Sequence, residues 1–138
     1  MNTVLESLTG LIPFILYFSL SIVFLLIFKI IYVRCTPHDE WKLVKDDKNI
    51  AAAIALAGSI IGYSLAISGA ARNAVNLIDF SIWGCIGLIA QLIAFLIIRV
   101  GFIPQIVSRI EKGEIPAGII MATTSIAIGL LNAACMSY

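Results

Sequence analysis

The sequence predicts an all-α polytopic membrane protein with four transmembrane helices, arranged as a duplicated two-helix hairpin in a single integral membrane domain over residues 1–138. Three observations carry this. Four apolar runs, at about 11–33, 50–71, 80–98 and 115–136, each approach or exceed the roughly 20 residues a helix needs to cross a hydrocarbon core of about 30 Å. All eight acidic residues and eight of the nine basic ones fall outside those runs, Lys29 being the exception. The chain is 61% hydrophobic and 12% charged, where a soluble domain is about half apolar and a quarter charged. A soluble bundle of this length lacks the polar surface to cover four such helices. A transmembrane barrel would alternate apolar and polar residues over segments of about 10, and these runs do not alternate.

The first run is expected to remain in the membrane. A cleaved leader has a basic start and an apolar stretch of roughly 7–15 residues. Here the start carries Glu6 and no Lys or Arg, and Leu11–Phe28 alone is 18 residues. The connection that follows, at about 34–49, carries Arg34, Lys42, Lys45 and Lys48. Within it, Thr36, Pro37 and Asp39 read as a helix start with a capping acid. Trp41 and Val44 would then share a face in the membrane interface. The second run, 50–71, leads into a short turn with Arg72 as its one cation. The third run, 80–98, leads into a connection at about 99–114 with Arg99, Arg109 and Lys112. There Pro104 opens a stretch in which Ile106, Val107 and Ile110 line one face, again an interfacial amphipathic turn. The fourth run closes the chain. The excess of cations in the first and third connections places both in the cytoplasm and both termini in the periplasm. Lys29 can snorkel to the headgroups.

The second and fourth runs carry small residues where helices would meet. Gly58 and Gly62 form a GxxxG spacing with Ala66 one step on, and the fourth run has Gly118, Ala122, Gly129 and Ala133. Lipid gives helices no hydrophobic drive to associate, so close backbone approach at small residues is the source of packing energy. The first and third runs carry Phe14, Phe18, Phe24, Phe28, Trp83 and Phe95. Two small-faced helices are therefore expected at the centre with the bulky ones outside, and a homo-oligomer could use the same small faces. A shift of 65 positions places Arg34 on Arg99 and Ile50 on Ile115 without a gap, and matches Ala52 with Ala117, Ala57 with Ala122 and Ile61 with Ile126. That shift is the signal for duplication.

The absences bound the function. Proton-coupled exchange needs an intramembrane carboxylate, and every acid lies at an end or in a connection. A b-type haem needs histidines within the bundle, and His38 sits in the first connection. Cys35, Cys85 and Cys135 form no CxxC, which argues against a redox motif; Cys85 and Cys135 could meet, though small packing residues explain them equally well. There is no P-loop, HExxH or GxSxG. We expect no enzyme, no cofactor and no metal; His38, Asp39 and Glu40 read as helix-start chemistry. A net charge of +1 gives no attraction to nucleic acid. Gln91, Thr123, Thr124, Ser125 and Asn132 are polar residues within the runs, fit either to join helices by hydrogen bonds or to line a water-filled path. Arg72, Asn73, Asn76 and Asp79 cluster at the outer turn, as a weak ion pair or as a binding rim.

The stretch Thr36-Pro37-His38-Asp39-Glu40-Trp41, then Asn49, the alanine run from Ala51, Gly58 and Gly62, resembles the YjfL family of bacterial inner-membrane proteins. Trp83-Gly84, Gln91, Arg99, Ala117-Gly118 and the ending Asn132-Ala133-Ala134-Cys135-Met136 extend the resemblance over nearly the whole chain, and the match is close. It implies a multi-pass inner-membrane protein of a family without an assigned function. Neighbouring genes in that family imply a PspA-like cytoplasmic partner and an envelope-stress role. Two readings stay open. One is a non-enzymatic membrane module for envelope integrity or partner recruitment, with Asp39, Glu40, Trp41, Arg109 and Lys112 as its cytoplasmic surface. The other is an oligomeric pore or carrier for an ion or small solute, lined by Gln91, Asn132, Thr123 and Thr124.

Overall fold

A computed structural model describes residues 2–35, 40–97, 101 and 105–136, without the side chains of Cys35, Glu40 and Trp41. The described elements are α1 (Asn2–Thr9), α2 (Leu11–Cys35), α3 (Glu40–Lys45), α4 (Ile50–Asn73), α5 (Leu77–Ile97), α6 (Ile106–Glu111) and α7 (Ile115–Cys135). Four helical stretches are long and apolar enough to cross a membrane, as the apolar runs predict. The first of them extends beyond the predicted run, because α1 precedes α2 across a break at Gly10. Pro13 falls in the first turn of α2, where its missing N–H costs no helical bond.

The other spans begin at identifiable caps. Asn49 stands at the N-cap of α4 with extended backbone, and its Oδ1 accepts from Ala52 N at 3.1 Å. Asn76 Oδ1 accepts from Asp79 N at 2.9 Å and Asp79 Oδ2 accepts from Val75 N at 3.0 Å. This reciprocal cap starts α5 at Leu77, three residues before the apolar run itself. Lys48 takes a left-handed φ of 52° and Gly113 one of 79°; each is followed by the N-cap residue of a span, Asn49 for α4 and Glu114 for α7. The two left-handed residues, the two caps and the starts of α4 and α7 are each 65 positions apart.

α4 and α7 form the centre and run parallel. Ala51 faces Gly118, Gly58 faces Ala122, Gly62 faces Ser125 and Gly129, and Gly69 faces Ala133. Partner numbers rise together along both helices, at separations of 63 to 67, as an axis along the membrane normal relating residues 65 apart would require. α5 packs antiparallel on both helices. α2 packs against both α4 and α5 through aromatic contacts: Phe28 stacks on Tyr63 of α4 at 4.8 Å, while Tyr17 meets Phe80 of α5 at 5.3 Å and Tyr32 meets Phe95 of α5 at 5.6 Å.

Small helices at the centre match the expectation, but the bulk of α2 and α5 is only partly outside. Phe24, Phe28, Phe80 and Phe95 are buried and fill the wedge between α2, α4 and α5. Phe14 and Phe18 stack on each other at 5.6 Å on the exposed face.

Candidate functional site

Three places were expected to carry function: the intramembrane polar residues, the outer turn and the connections about 34–49 and 99–114. The intramembrane residues are set by the α4–α7 seam. A Cβ on Gly58 would strike Ala122, one on Gly62 the Ser125 backbone, one on Gly118 the Ala51 carbonyl and one on Gly129 the Gly62 carbonyl. Backbone meets backbone along the centre of the bundle. Gly58, Gly62, Gly118, Ala122 and Gly129 are thus all brought into one contact within the chain. An oligomer would have to form through other surfaces.

Ser59, Gln91 and Ser125 meet at the middle of that seam, and all three are buried. Ser59 Oγ donates to Ala55 O at 2.9 Å and lies 3.4 Å from Ser125 Oγ. Gln91 Nε2 donates to Ser125 O at 3.2 Å, which pins α5 to α7. Gln91 Oε1 is buried and has no hydrogen-bond partner among the described residues. Asn132 Nδ2 makes a long 3.4 Å bond to Gly87 O, and Tyr63 Oη donates to Gly84 O at 2.8 Å. Thr123 is exposed on the outer surface of α7 and Thr124 is half-buried. The four residues expected to line a path therefore do not share one wall.

The unpartnered Oε1 sets an expectation for Gln91→Leu. The variant loses one hydrogen bond, about 1 kcal/mol, but also removes a buried oxygen that has no donor, a penalty of about 1–3 kcal/mol. Stability in detergent is expected to stay within about 1 kcal/mol of the parent, measured by thermal unfolding; a loss above about 3 kcal/mol would show that Oε1 has a partner.

The residues before α4 and α7 build a second site. Asn49 Nδ2 donates to Ile110 O at 2.7 Å and to Glu111 O at 3.2 Å. One amide thus caps α4 and ties it to the end of α6, 61 residues away. Ile106 and Ile110 of α6 are fully buried, and Leu43 and Val44 of α3 pack against the same core. The interfacial turn expected at 106–110 is corrected by this burial: Ile106 and Ile110 insert into protein, not headgroups. An open groove of about 470 Å³ lies between the two connections, lined by Asp47, Lys48, Asn49, Glu111 and Lys112 among others. Arg109 Nε pairs with Glu114 Oε2 at 2.7 Å on the surface, a contact of small energetic weight. Arg109 and Lys112 therefore sit at one end of the bundle. Asp39 lies outside the described residues, as do His38, Thr36, Pro37, Arg99 and Pro104; Glu40 and Trp41 are placed by backbone alone at the start of α3.

At the turn between α4 and α5, expected on the outer side, the polar groups serve the backbone. Asn76 and Asp79 cap α5, and Asn73 Nδ2 donates to Gly69 O at 2.8 Å. Cys85 and Cys135 are both free and exposed.

Sequence reasoning missed Asn49 both as the cap of α4 and as a tie between the two halves. Its position before an apolar run signals a cap, but the second use of its amide depends on a partner 61 residues away.

A family described as Domain of Unknown Function (DUF350) matches residues 6–136. Two relatives are called UPF0719 inner membrane protein YjfL, from Escherichia coli strain K12 and from Escherichia coli O157:H7. Each is 39% identical over 134 residues, covering 97% of this chain and the whole of the relative. No solved structure matches the chain.

Proposed function

We propose, from the premise that the chain belongs to the DUF350 family, that it is a multi-pass protein of the bacterial inner membrane that works as a non-enzymatic module. Its task in this reading is to hold a fixed surface at the membrane for a partner that supports envelope integrity. The observation that carries the proposal is the Asn49 tie. Together with buried Ile106 and Ile110 it makes α3, α6 and the starts of α4 and α7 one platform rather than two loose loops. Lys48, Arg109 and Lys112 are displayed on it, and Asp39, Glu40 and Trp41 belong to the same connections. The excess of cations in these connections supports a cytoplasmic position for the platform, and family association suggests a PspA-like partner. The 65-residue offset supports descent of the two hairpins from one by duplication; 1–74 and 75–138, co-expressed as separate chains, should then reassemble across the α4–α7 seam, and failure to do so would count against it.

Affinity capture of the intact protein from crosslinked membranes tests the module. A specific cytoplasmic partner is expected with the parent and is expected to be lost in Lys112→Glu and Trp41→Ala. Unchanged partners and an unchanged membrane-stress phenotype in both variants would sink the idea. Orientation has its own test: a reporter fused at Tyr138 should be periplasmic, and cytoplasmic activity would move the platform to the other side.

A second reading, an oligomeric pore or carrier, has one observation in its favour, the buried Gln91 Oε1 with no donor among the described residues. Solute flux in proteoliposomes that Gln91→Leu abolishes would put this reading first.

A further inference from the structure

We propose that copies of this chain assemble head to tail in the membrane, the unused face of α7 in one copy packing on the unused face of α4 in the next. The observation behind it is that the α4–α7 seam joins two different faces. α4 brings Ala51, Gly58 and Gly62 to it, and they meet Gly118, Ala122 and Gly129 of α7. At the 65-residue offset these sets are not counterparts. The α4 set corresponds to Pro116, Thr123 and Ala127 on α7, and the α7 set to Ala53, Ala57 and Ser64 on α4. On α4 the two sets lie roughly 130° apart round the helix. A twofold axis would bring Ala57 onto Thr123 wherever Gly58 meets Ala122, yet Ala57 and Thr123 are both exposed. The seam is therefore heterologous, and each of its helices keeps a second face.

The second faces are built like the first. Pro116, Thr123, Ala127 and Ala57 are exposed, and Ala53 and Ser64 are half-buried. Ile61, Ile89 and Ile93, on other exposed parts of the spans, carry the bulk that suits lipid. Small residues instead permit the close backbone approach that joins helices in a bilayer. Ile60, the counterpart of Ser125, is the bulkier exception on α4. Neither α2 nor α5 stands in the way on α4: Tyr63, which stacks on Phe28 and donates to Gly84 O, lies on the arc between its two faces. A second copy is the occupant that fits, because the seam already shows these faces meeting, in a fixed register. Transferred by 65 positions, that register sets Pro116, Thr123 and Ala127 of one copy on Ala53, Ala57 and Ser64 of the next. A heterologous contact repeated about the membrane normal closes a ring or continues as an open arc. The assembly needs neither the proposed orientation nor a cytoplasmic partner.

Crosslinking by copper phenanthroline in intact membranes tests the assembly. In the full-length protein with Cys35, Cys85 and Cys135 replaced by alanine, the Ser64→Cys/Ala127→Cys pair should form disulfides between copies and give a ladder of dimers and larger species. Either cysteine alone should give only background, because neither residue meets its own counterpart in another copy. Ile82→Cys/Ile93→Cys, both on the exposed face of α5, measures the collisional background. Ala57→Leu added to the Ser64→Cys/Ala127→Cys pair should cut crosslinking at least about fivefold, the lower end of an overpacking penalty. It should leave thermal unfolding in detergent unchanged, since Ala57 is exposed within one copy. A pair yield no higher than background, single-cysteine dimers in the same yield as the pair, or a ladder that Ala57→Leu leaves intact would overturn the proposal.

Discussion

Gly62→Val is expected to cost about 3 kcal/mol of stability and to leave little folded protein in the membrane. Gly62 sits where the backbones of α4 and α7 meet. A Cβ there would fall on the Ser125 backbone and within 2.8 Å of Gln91 Nε2, and the Gly62 carbonyl already occupies the space a Cβ on Gly129 would need. Helix backbones cannot give way as a side-chain tip can. The two helices would have to separate, which also parts Ser59 from Ser125 and pulls Gln91 off the Ser125 carbonyl. A β-branched residue adds restriction of χ1 in a helix. Ile61→Val is the control, since Ile61 is adjacent but exposed and the change should stay within about 0.5 kcal/mol. Unfolding in mixed detergent micelles measures both. Equal stability of Gly62→Val and Ile61→Val would mean that the seam is not closed.

Asn49→Ala is expected to cost about 2–3 kcal/mol. The variant loses a helix cap worth about 1 kcal/mol and two bonds to the end of α6, about 1 kcal/mol each, less a discount because one of them is long at 3.2 Å. Asn49→Ser separates the two roles. A serine hydroxyl can still cap α4 but cannot reach Ile110 O, so about 1 kcal/mol should return and the rest should not. If Asn49→Ser restores full stability, the tie between the two halves contributes nothing. In the proposed function, both variants should also weaken partner capture in step with the loss of order in the platform.

The spans were legible because length and charge exclusion decide them almost alone. Gly58, Gly62, Gly118, Ala122 and Gly129 were legible as packing residues because only small side chains let two helices touch in lipid. Their assignment to a contact inside the chain was less so. A GxxxG face reads identically whether its partner is another chain or α7. The aromatic residues were harder still. Phe18 and Phe28 look alike in sequence, yet one faces outward and the other stacks on Tyr63. α2 is apolar all round, so nothing in its pattern marks the buried stripe. Asn76 and Asp79 show a different failure. Their spacing is that of a helix cap, but beside Arg72 and Asn73 it also looked like a rim of polar groups. The start of α5 at Leu77 resolves it, because a cap has to precede a first turn. Asn49 was read in neither role, although its place before an apolar run is that of a cap.

The account rests on a centre where backbones touch and intramembrane polar groups are used between helices. Reactivity of a single cysteine at Ser125 measures that most directly. With Cys35, Cys85 and Cys135 replaced by alanine, Ser125→Cys in intact membranes should not react with a membrane-impermeant maleimide. Val75→Cys, at the exposed turn between α4 and α5, should react fully if that turn faces the periplasm as proposed. Labelling of Ser125→Cys at a rate comparable to Val75→Cys would place water in the seam and contradict the account.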